Sequence, residues 1–311
     1  MFNFVPNLYE MKKIFLLVCL ALTAGLSQAQ QYNLGIGLKL GASNFLGDIG
    51  SGDVARDFVY NMEIQDTRWD VGVFARYRLN PIFAVQVAFE YARIQGNDAN
   101  SESVERRGRN LSFTNDLLHL NAKLEWYPQL LSVSDVGYRG RYQLDYQTYF
   151  FFGVGGVYNN PKAELNGEKV ALRPLMTEGV KYSPIALTAP LGGGFFFTYK
   201  RHHRIGFEFA WNWTFTDYLD DISTVYVDPS KMSTDPNAAV LANRYKSGSF
   251  IPDAVQYGPG SPRGDASDRD NFMTMSVSYS YLLRTKNSFY RKNYSWMYGR
   301  KTRWGGTKAK F

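Results

Sequence analysis

Apolar and polar side chains alternate with a period of two along much of this chain. In residues 205–216 every second residue is apolar, and the residues between them are small or polar. This is the period of a β-strand, whose successive side chains point to opposite faces. The alternation predicts eight strands, at residues 34–41, 69–79, 83–92, 118–126, 148–158, 185–199, 205–216 and 273–283. Pro190 lies inside one of them and is expected to interrupt its backbone hydrogen bonds.

Alternation alone fits either a secreted β-sandwich or a barrel that crosses a membrane. Three features favour the barrel. The first is that the apolar faces carry aromatic residues near the strand ends, where membrane barrels have interfacial girdles. The second is that the opposite faces are small or polar, as the crowded interior of an eight-stranded barrel demands. The aromatic residues are Trp69, Tyr77, Phe83, Tyr91, Trp126, Tyr199, Tyr279 and Tyr281.

The third feature is that long and short connections alternate between the predicted strands, as outer loops and periplasmic turns do in outer-membrane barrels. The long connections are residues 42–68, 93–117, 159–184 and 217–272, and residues 127–147 form a longer periplasmic link. The predicted fold class is therefore all-β, an eight-stranded antiparallel up-and-down transmembrane β-barrel over residues 30–283. An even number of strands returns the chain to its starting side, so both termini are expected in the periplasm.

The N-terminal region has the features of a Sec signal peptide. A basic pair precedes an apolar run at residues 14–22, and a Ser-Gln-Ala motif at residues 27–29 stands where a signal peptidase cleaves. Residues 1–29 are therefore predicted to be an N-terminal extension and signal peptide. The protein is expected to be exported to the outer membrane.

Composition excludes several classes of protein. The mean hydropathy of −0.32 argues against a bundle of membrane-spanning helices, each of which needs about 20 consecutive apolar residues. The only cysteine, Cys19, falls in the predicted signal peptide, so the exported chain can form neither a disulfide framework nor a multi-cysteine metal site. The residue before Cys19 is a valine rather than the small residue expected of a lipoprotein.

The formal net charge of +7 is concentrated in the tail, residues 284–311, which contain nine basic residues, no acidic residue and interleaved aromatic residues. Such segments can bind nucleic acid, but an exported chain rarely meets any. An acidic protein surface or lipid headgroups are the favoured partners, and a solvated tail is the alternative. The tail is predicted to bind a periplasmic partner through Arg284, Arg291, Lys292, Trp296, Arg300, Lys301, Arg303 and Trp304.

Catalytic and cofactor motifs are missing from the sequence, which contains no HExxH, Walker A loop, GxSxG or paired metal-ligand spacing. Polar residues on the predicted inward faces could hold an active site, but they fit better as salt bridges that fill a narrow lumen. These residues are Arg76, Arg78, Glu90, His119, Glu125 and Glu208. We expect neither catalysis nor a cofactor.

Four aspartates follow the seventh predicted strand, at positions 217, 220, 221 and 228. They could bind calcium, but their spacing does not match an EF-hand loop. The prediction is therefore a solvated acidic loop. The rest of this connection is rich in Pro, Gly, Ser and Asp, which favours turns and mobile stretches.

Several motifs carry a resemblance to a known family. They are GASNFLGDIG at 41–50, RYRLN at 76–80, YARIQGND at 91–98, RNLSF at 109–113 and TFTDYLDDISTVY at 214–226, with a basic terminus ending in Lys310 and Phe311. Together they resemble the PorG-like outer-membrane barrels of the Bacteroidota type IX secretion system. The resemblance covers most of residues 31–283. It implies a non-enzymatic outer-membrane protein associated with the periplasmic PorK/PorN ring of that machine.

Two departures from the family are a longer last outer loop and an extended tail, which would fit a paralogue with a different partner. The resulting expectation is an outer-membrane barrel that anchors a periplasmic assembly of secretion or gliding machinery, without cofactor, nucleic acid or small-molecule substrate. A narrow, filled lumen would exclude a general porin. The alternatives are a small channel or adhesin that acts through its outer loops, and an outer-membrane hydrolase.

Overall fold

The computed structural model describes residues 34–49, 64–101, 103–133, 144–200, 202–245 and 257–283. Eight long antiparallel strands each pair with the next along the chain, and the last pairs with the first. The sheet therefore closes into a barrel, which confirms the predicted fold class and excludes the sandwich. The strands are β1 (Leu34–Leu46), β2 (Arg68–Arg78), β3 (Phe83–Asn97), β4 (Ser112–Trp126), β5 (Leu144–Tyr158), β6 (Ile185–Tyr199), β7 (His203–Thr214) and β8 (Asn271–Leu282).

Three strands, β1, β3 and β4, continue beyond their predicted bounds at the same end of the barrel. The outward residues of the β3 and β4 extensions, such as Arg93 and Asp116, are polar. Backbone pairing nevertheless continues, for example between Gln95 and Thr114. The apolar alternation on which the prediction relied thus stops where the strands leave the apolar zone.

Pro190 has the predicted effect on the sheet. In the β5–β6 ladder, Phe152 lies opposite Leu191 and Gly155 lies opposite Thr188. The two described positions of β6 between these pairs, one of which is Pro190, form no ladder pair with β5. On its other side Pro190 still lies opposite a residue of β7. Since a proline lacks the N–H that a ladder needs, it weakens one side of β6 without ending the strand.

The barrel is apolar outside and polar inside, which is the reverse of a soluble protein. Leu38 and Trp213 on the outward faces are 61% and 57% exposed, and every strand has further exposed apolar residues on its outward face. Lys39, Glu90 and Lys123 on the inward faces are buried. An apolar surface that surrounds the molecule requires lipid to cover it.

Aromatic side chains cluster at both edges of this apolar surface, in agreement with the predicted girdles. At one edge Trp69 and Tyr91 stack with their ring centroids 4.8 Å apart. At the other edge Trp126 lies 6.1 Å from Phe150, and Tyr77 is exposed nearby on β2. Trp69 and Tyr77, at the two edges, are eight residues apart on β2, a distance of about 26 Å along the strand. At the usual strand tilt, this corresponds to an apolar band about 20 Å high. This is comparable with the apolar band of outer-membrane barrels.

The two ends of the barrel differ in size. The short-turn end carries the connections 79–82, 127–143 and 200–202. Both ends of the barrel sequence also meet there, because the Leu283 N–H donates to the Leu34 carbonyl over 2.8 Å. The four long connections lie at the opposite end. No helix in the described residues is long and apolar enough to cross a membrane.

The described parts of the long connections fold into a cap, which comprises residues 47–49, 64–67, 98–101, 103–111, 159–184, 215–245 and 257–270. It contains α1 (Val104–Arg109), α2 (Pro236–Ala242) and a hairpin of Lys162–Leu165 with Glu168–Ala171. The helices begin at side-chain caps, since Ser103 Oγ accepts from the Arg106 N–H (3.4 Å) and Asp235 Oδ1 accepts from the Asn237 N–H (2.8 Å). The segment predicted to be turn-rich therefore includes regular structure.

The cap and the adjoining strand extensions share a hydrophobic core that closes the long-loop end of the barrel. Phe45 and Phe113 meet edge to face within it, with ring centroids 4.8 Å apart. The core also includes Ile49, Ile94, Leu111, Leu117, Leu172, Leu175, Leu219, Ile222, Leu241 and Phe272. Because these residues come from all four connections and from the strands, the cap is packed onto the barrel rather than extending freely from it.

Candidate functional site: the filled lumen and the cap

Charged side chains from three strands, and a tyrosine from a fourth, meet in the middle of the lumen. Glu208 on β7 accepts hydrogen bonds from Lys39 Nζ of β1 (2.6 Å), Lys123 Nζ of β4 (2.8 Å) and the Tyr149 hydroxyl of β5 (2.7 Å). All four side chains are buried. Glu208 therefore links three walls of the barrel to a fourth.

Two further carboxylates complete the set. Glu90 lies 3.0 Å from Lys39 Nζ, and Glu125 accepts from Arg76 Nε over 2.9 Å. Three cations thus meet three carboxylates, and this balance is what makes their burial tolerable. We call Lys39, Arg76, Glu90, Lys123, Glu125 and Glu208 the lumen ion network.

The structure confirms the predicted interior salt bridges for Arg76, Glu90, Glu125 and Glu208. Their counterions Lys39 and Lys123 were absent from the predicted set. The strand alternation does place both lysines on inward faces, and this was the signal that identifies them. Which carboxylate each contacts depends on how the strands stagger around the barrel, which alternation does not report.

Two predicted residues, Arg78 and His119, lie outside the network. The predicted salt bridge is wrong for Arg78, which stands nearer the short-turn end, where its Nη1 donates to the neutral Gln147 Oε1 over 2.7 Å. His119 stands on the cap side, with Nε2 2.9 Å from Thr188 Oγ1 and Nδ1 3.4 Å from Glu90 Oε2.

This hydroxyl–imidazole–carboxylate order is that of a hydrolase triad. All three side chains are buried, however, and the His119 ring packs edge to face on Phe272 of the cap core at 5.6 Å. A substrate would have to pass the cap core to reach the hydroxyl. The contacts therefore satisfy buried polar groups, and the geometry does not support hydrolysis.

Three layers fill the lumen in succession. The cap core lies at one end and the lumen ion network in the middle. Below it, Tyr127, Tyr149 and Phe196 form an aromatic layer toward the short-turn end, with ring centroids between 5.7 and 6.0 Å apart. A barrel filled in this way is a packed structure rather than an open pore.

Buried polar contacts join the four connections of the cap. Arg109 makes a two-pronged contact with Asp98 (2.8 and 2.9 Å) and donates to the carbonyls of Asp48 (2.8 Å) and Arg263. Arg263 in turn donates to Glu178 Oε1 over 2.9 Å. One connected set of hydrogen bonds therefore runs through the first, second, third and fourth long connections.

The prediction of a solvated acidic loop is wrong for Asp220 and Asp221. Both are buried, because other parts of the cap donate hydrogen bonds to them. Asp220 accepts from the Ile49 N–H (3.3 Å), and Asp221 accepts from the Tyr182 hydroxyl (2.7 Å). Asp228 is exposed, as predicted. Among the residues that the structure describes, no group of three or more His, Cys, Asp or Glu side chains is arranged to hold a metal ion.

Several aspartates within the cap have pKa values above that of an ordinary aspartate, because they are removed from water. Burial raises the pKa of Asp221 to about 6, although Arg263 opposes the shift. Burial also raises the pKa of Asp217 to about 7, and the carboxylates of Asp48 and Glu178 add to the effect. Burial likewise raises the pKa of two further cap aspartates, Asp220 and Asp270.

The cap is therefore expected to be more stable at pH 5 than at pH 8. The folded pKa values of Asp217 and Asp221 exceed the ordinary value of 3.8, so the folded cap binds more protons than the unfolded chain between roughly pH 4 and 7. Its stability falls as the pH rises through that window. Hydrogen exchange of cap amides, corrected for intrinsic rates, should show protection lower by about tenfold or more at pH 8.

The Asp217→Asn variant should reduce this pH dependence without abolishing it, because its amide does not titrate while Asp221 still does. The matched control is Asp228→Asn, which removes an exposed carboxylate from the same connection and should leave the profile unchanged. Equal protection of the cap amides at pH 5 and pH 8 in the parent protein would contradict the raised pKa values of the cap aspartates.

The predicted partner-binding residues between Arg284 and Trp304 lie outside the described residues, as does the predicted signal peptide. A closed eight-stranded antiparallel barrel with an apolar outer surface, two aromatic belts and a polar, filled lumen is a transmembrane β-barrel of the outer-membrane type. The chain belongs to the family described as a domain of unknown function, DUF6089, whose model matches residues 12–230. No curated protein matches it.

Several solved outer-membrane barrels are similar to this chain. Ail, the attachment invasion locus protein of Yersinia pestis, was solved with the heparin analogue sucrose octasulfate and has a TM-score of 0.34 at 11% identity, over 82% of this chain and 100% of Ail. Neisserial surface protein A has a TM-score of 0.34 at 8% identity, over 82% and 100%. The N-terminal barrel domain of Pseudomonas aeruginosa OprF has a TM-score of 0.32 at 9% identity, over 81% and 99%.

Proposed function

We propose that this protein is a non-enzymatic outer-membrane barrel that anchors a periplasmic assembly of secretion or gliding machinery, with a PorK/PorN-like ring as the partner. The observation that carries the proposal is the filled lumen. A barrel whose interior holds paired charges and packed aromatic rings gives a solute no route, which favours a role in fixing a position in the membrane over a role in conduction.

The position of the barrel's last strand supports the same role. β8 ends at the short-turn end, which is the periplasmic end of barrels with this connection pattern. The basic and aromatic residues from position 284 onward follow this strand in the sequence, which supports a periplasmic location for them. Charge complementarity would steer an acidic partner to the tail, and the aromatic residues would supply anchors.

The cap supports a second candidate function, recognition of a ligand outside the cell. Tyr245 and Tyr257 stack with their ring centroids 4.8 Å apart, and Tyr245 is exposed. A folded cap with an aromatic pair at its surface is suited to binding, whereas simple strand connections need no core. Removing the cap surface should then abolish binding to cells or matrix and leave periplasmic contacts intact.

Deleting residues 284–311 is expected to abolish co-isolation of the barrel with its periplasmic partner. The deletion removes nine basic residues and the aromatic anchors between them, while the barrel's own strands are untouched. The measurement is a crosslinking pull-down from cell envelopes, with heat-dependent gel mobility as the check that the barrel has inserted.

The matched control for this deletion is a variant with exposed cap cations changed to glutamine, such as Arg107 and Lys169, which should co-isolate normally. Undiminished co-isolation of the tail-less barrel would sink the tail's role. Steady conductance of the parent protein in planar bilayers would favour a channel instead.

A further inference from the structure

Two arginines face the lumen at the short-turn end, apart from the lumen ion network. Arg78 is the last residue of β2, and Arg204 is the second residue of β7. Arg78 shares its inward register with Arg76, and Arg204 shares its register with Glu208. Arg204 is only 8% exposed, so its charge is largely removed from bulk water.

Neither arginine has an ion-pair partner among the residues that the structure describes. Arg204 Nε donates to Thr198 Oγ1 over 3.3 Å, and Arg78 Nη1 and Nη2 donate to Gln147 Oε1 and the Pro81 carbonyl, each over 2.7 Å. All of these acceptors are neutral. By contrast, each of the three cations of the lumen ion network has a carboxylate within 3.0 Å.

Both guanidinium groups are held in place by aromatic rings. The Arg204 guanidinium carbon lies 4.5 Å from the Phe196 ring centroid, and that of Arg78 lies 4.4 Å from the Tyr127 ring centroid. Cation–π contacts of this kind partly offset the cost of an unpaired charge and fix its orientation. The two groups are thus prearranged, and neither has a carboxylate of its own, because Glu125, whose charge acts on both, already pairs with Arg76.

An unpaired buried charge destabilises a protein unless something outside the fold compensates it. A neutral side chain would avoid this cost at the buried Arg204, since the network above is already balanced. The pair of arginines therefore indicates an anionic ligand. A guanidinium group binds carboxylate or phosphate in a two-pronged geometry, so these are the chemistries to consider.

The register of the arginines decides between a protein and a lipid as the source of the anion. Lipid headgroups surround the outer wall of a barrel, whereas Arg78 and Arg204 project into its mouth. An anion that reaches them must enter along the barrel axis, which a peptide can do and a leaflet lipid cannot. This geometry favours the carboxylates of an acidic peptide segment.

Apolar residues are also exposed in the turns at this end. Leu130 is 99% exposed, and Ile82 and Leu131 are exposed as well. The two turns that carry them are joined by a hydrogen bond from the Tyr127 N–H to the Ile82 carbonyl (2.7 Å), and Arg78 donates to the carbonyl of the residue before Ile82. A partner that places carboxylates at the arginines would also cover these side chains.

We propose that the periplasmic mouth of the barrel binds an acidic segment of a partner protein, whose Asp or Glu carboxylates pair with Arg78 and Arg204 while its apolar residues cover Ile82, Leu130 and Leu131. The proposal rests on the proposed anchoring function. It adds a docking contact on the barrel itself, separate from the tail.

The test uses the full chain in phosphatidylcholine nanodiscs, with fluorescein-labelled hexaglutamate as the probe and anisotropy as the readout. The double variant Arg78→Gln with Arg204→Gln should bind the peptide at least about tenfold more weakly, since it removes two charge-assisted contacts. The variant with lysine at both positions should lose less, because it keeps the charge and loses only the forked geometry. The matched control is Arg93→Gln at the far rim, which should bind as the parent does.

A second variant separates this proposal from the role of the tail. Changing Arg300, Lys301 and Arg303 to glutamine weakens the tail and leaves the mouth intact. If only the tail variant loses peptide binding, the mouth proposal is wrong and the tail's role stands. If only the mouth variant loses it, the mouth proposal stands and the tail contributes nothing to acidic recognition.

A third arm tests the lipid source. In nanodiscs that contain phosphatidylglycerol, peptide affinity should change equally for the parent and for the variant with Arg78 and Arg204 changed to glutamine. Loss of peptide binding in the parent alone would show that headgroup phosphate fills the mouth, and that result would overturn the proposal. Heat-dependent gel mobility confirms that each variant is folded, and the lysine variant keeps the test decisive if the glutamine variant is not.

Discussion

Replacing Glu208 with glutamine is expected to lower the free energy of unfolding of the barrel by about 3–5 kcal/mol. The Glu208 carboxylate accepts from Lys39, Lys123 and Tyr149, so its neutralisation leaves three buried cations facing two carboxylates. An amide of nearly the same size fills the same space, and the loss therefore reports charge rather than volume. Denaturant unfolding in micelles, followed by tryptophan fluorescence, measures the change.

A control and a compensating variant make this result specific. Arg93→Gln breaks an ion pair with Asp116 of 2.6 Å, but both side chains are about 30% exposed, so it should cost less than about 1 kcal/mol. Adding Lys39→Met to Glu208→Gln restores the balance of charge and should recover part of the loss. A Glu208→Gln barrel within about 0.5 kcal/mol of the parent would show that the network does not hold the strands together.

The strands could be predicted because alternation reports two things at once, the extended backbone and the face that meets lipid. That signal depends on lipid contact. Once the outward residues become polar, as at Arg93 and Asp116, the sequence no longer distinguishes a strand from a loop, although pairing continues to Asn97. The ends of the strands on the long-loop side could therefore not be predicted from the sequence.

The contents of the lumen could be predicted only in part. The alternation of side-chain direction along each strand identifies Glu90, Glu125 and Glu208 as inward-facing. A narrow barrel implies that their charges are paired. The particular pairs are formed across the barrel. Lys39 and Glu208 lie 169 residues apart and meet only because closure brings β1 beside β8. Strand stagger decides such contacts, and a single sequence does not carry it.

The cap is the part of the fold that the sequence predicted least well. Its aspartates follow a strand in a turn-rich segment, a setting that is typical of solvated loops. Asp220 and Asp221 are buried instead because N–H and hydroxyl donors reach them from the first and third connections, as at Ile49 and Tyr182. Nothing local marks those donors. Long-range hydrogen bonds between irregular segments leave no periodic trace.

The cap should unfold separately from the barrel when Arg109 is replaced with methionine. The side chain of Arg109 is buried and links Asp98 with the carbonyls of Asp48 and Arg263, so its loss releases contacts in three connections. Breaking a buried charged pair costs about 3–5 kcal/mol, which corresponds to a fall of roughly a hundredfold to a thousandfold or more in amide exchange protection. Hydrogen exchange with mass spectrometry should show this loss in residues 98–111 and 215–245.

The control for this variant is Arg107→Met in the same helix, since that side chain is exposed and makes one weak contact, to the Ser101 carbonyl (3.4 Å). Its cap should keep full protection. In Arg109→Met the central strands should also stay protected, because the lumen ion network and the aromatic layer lie below the cap and make no use of Arg109. For the same reason this variant should show no conductance in planar bilayers. Conductance, or a barrel that loses protection together with its cap, would mean that the cap rather than the network seals the lumen.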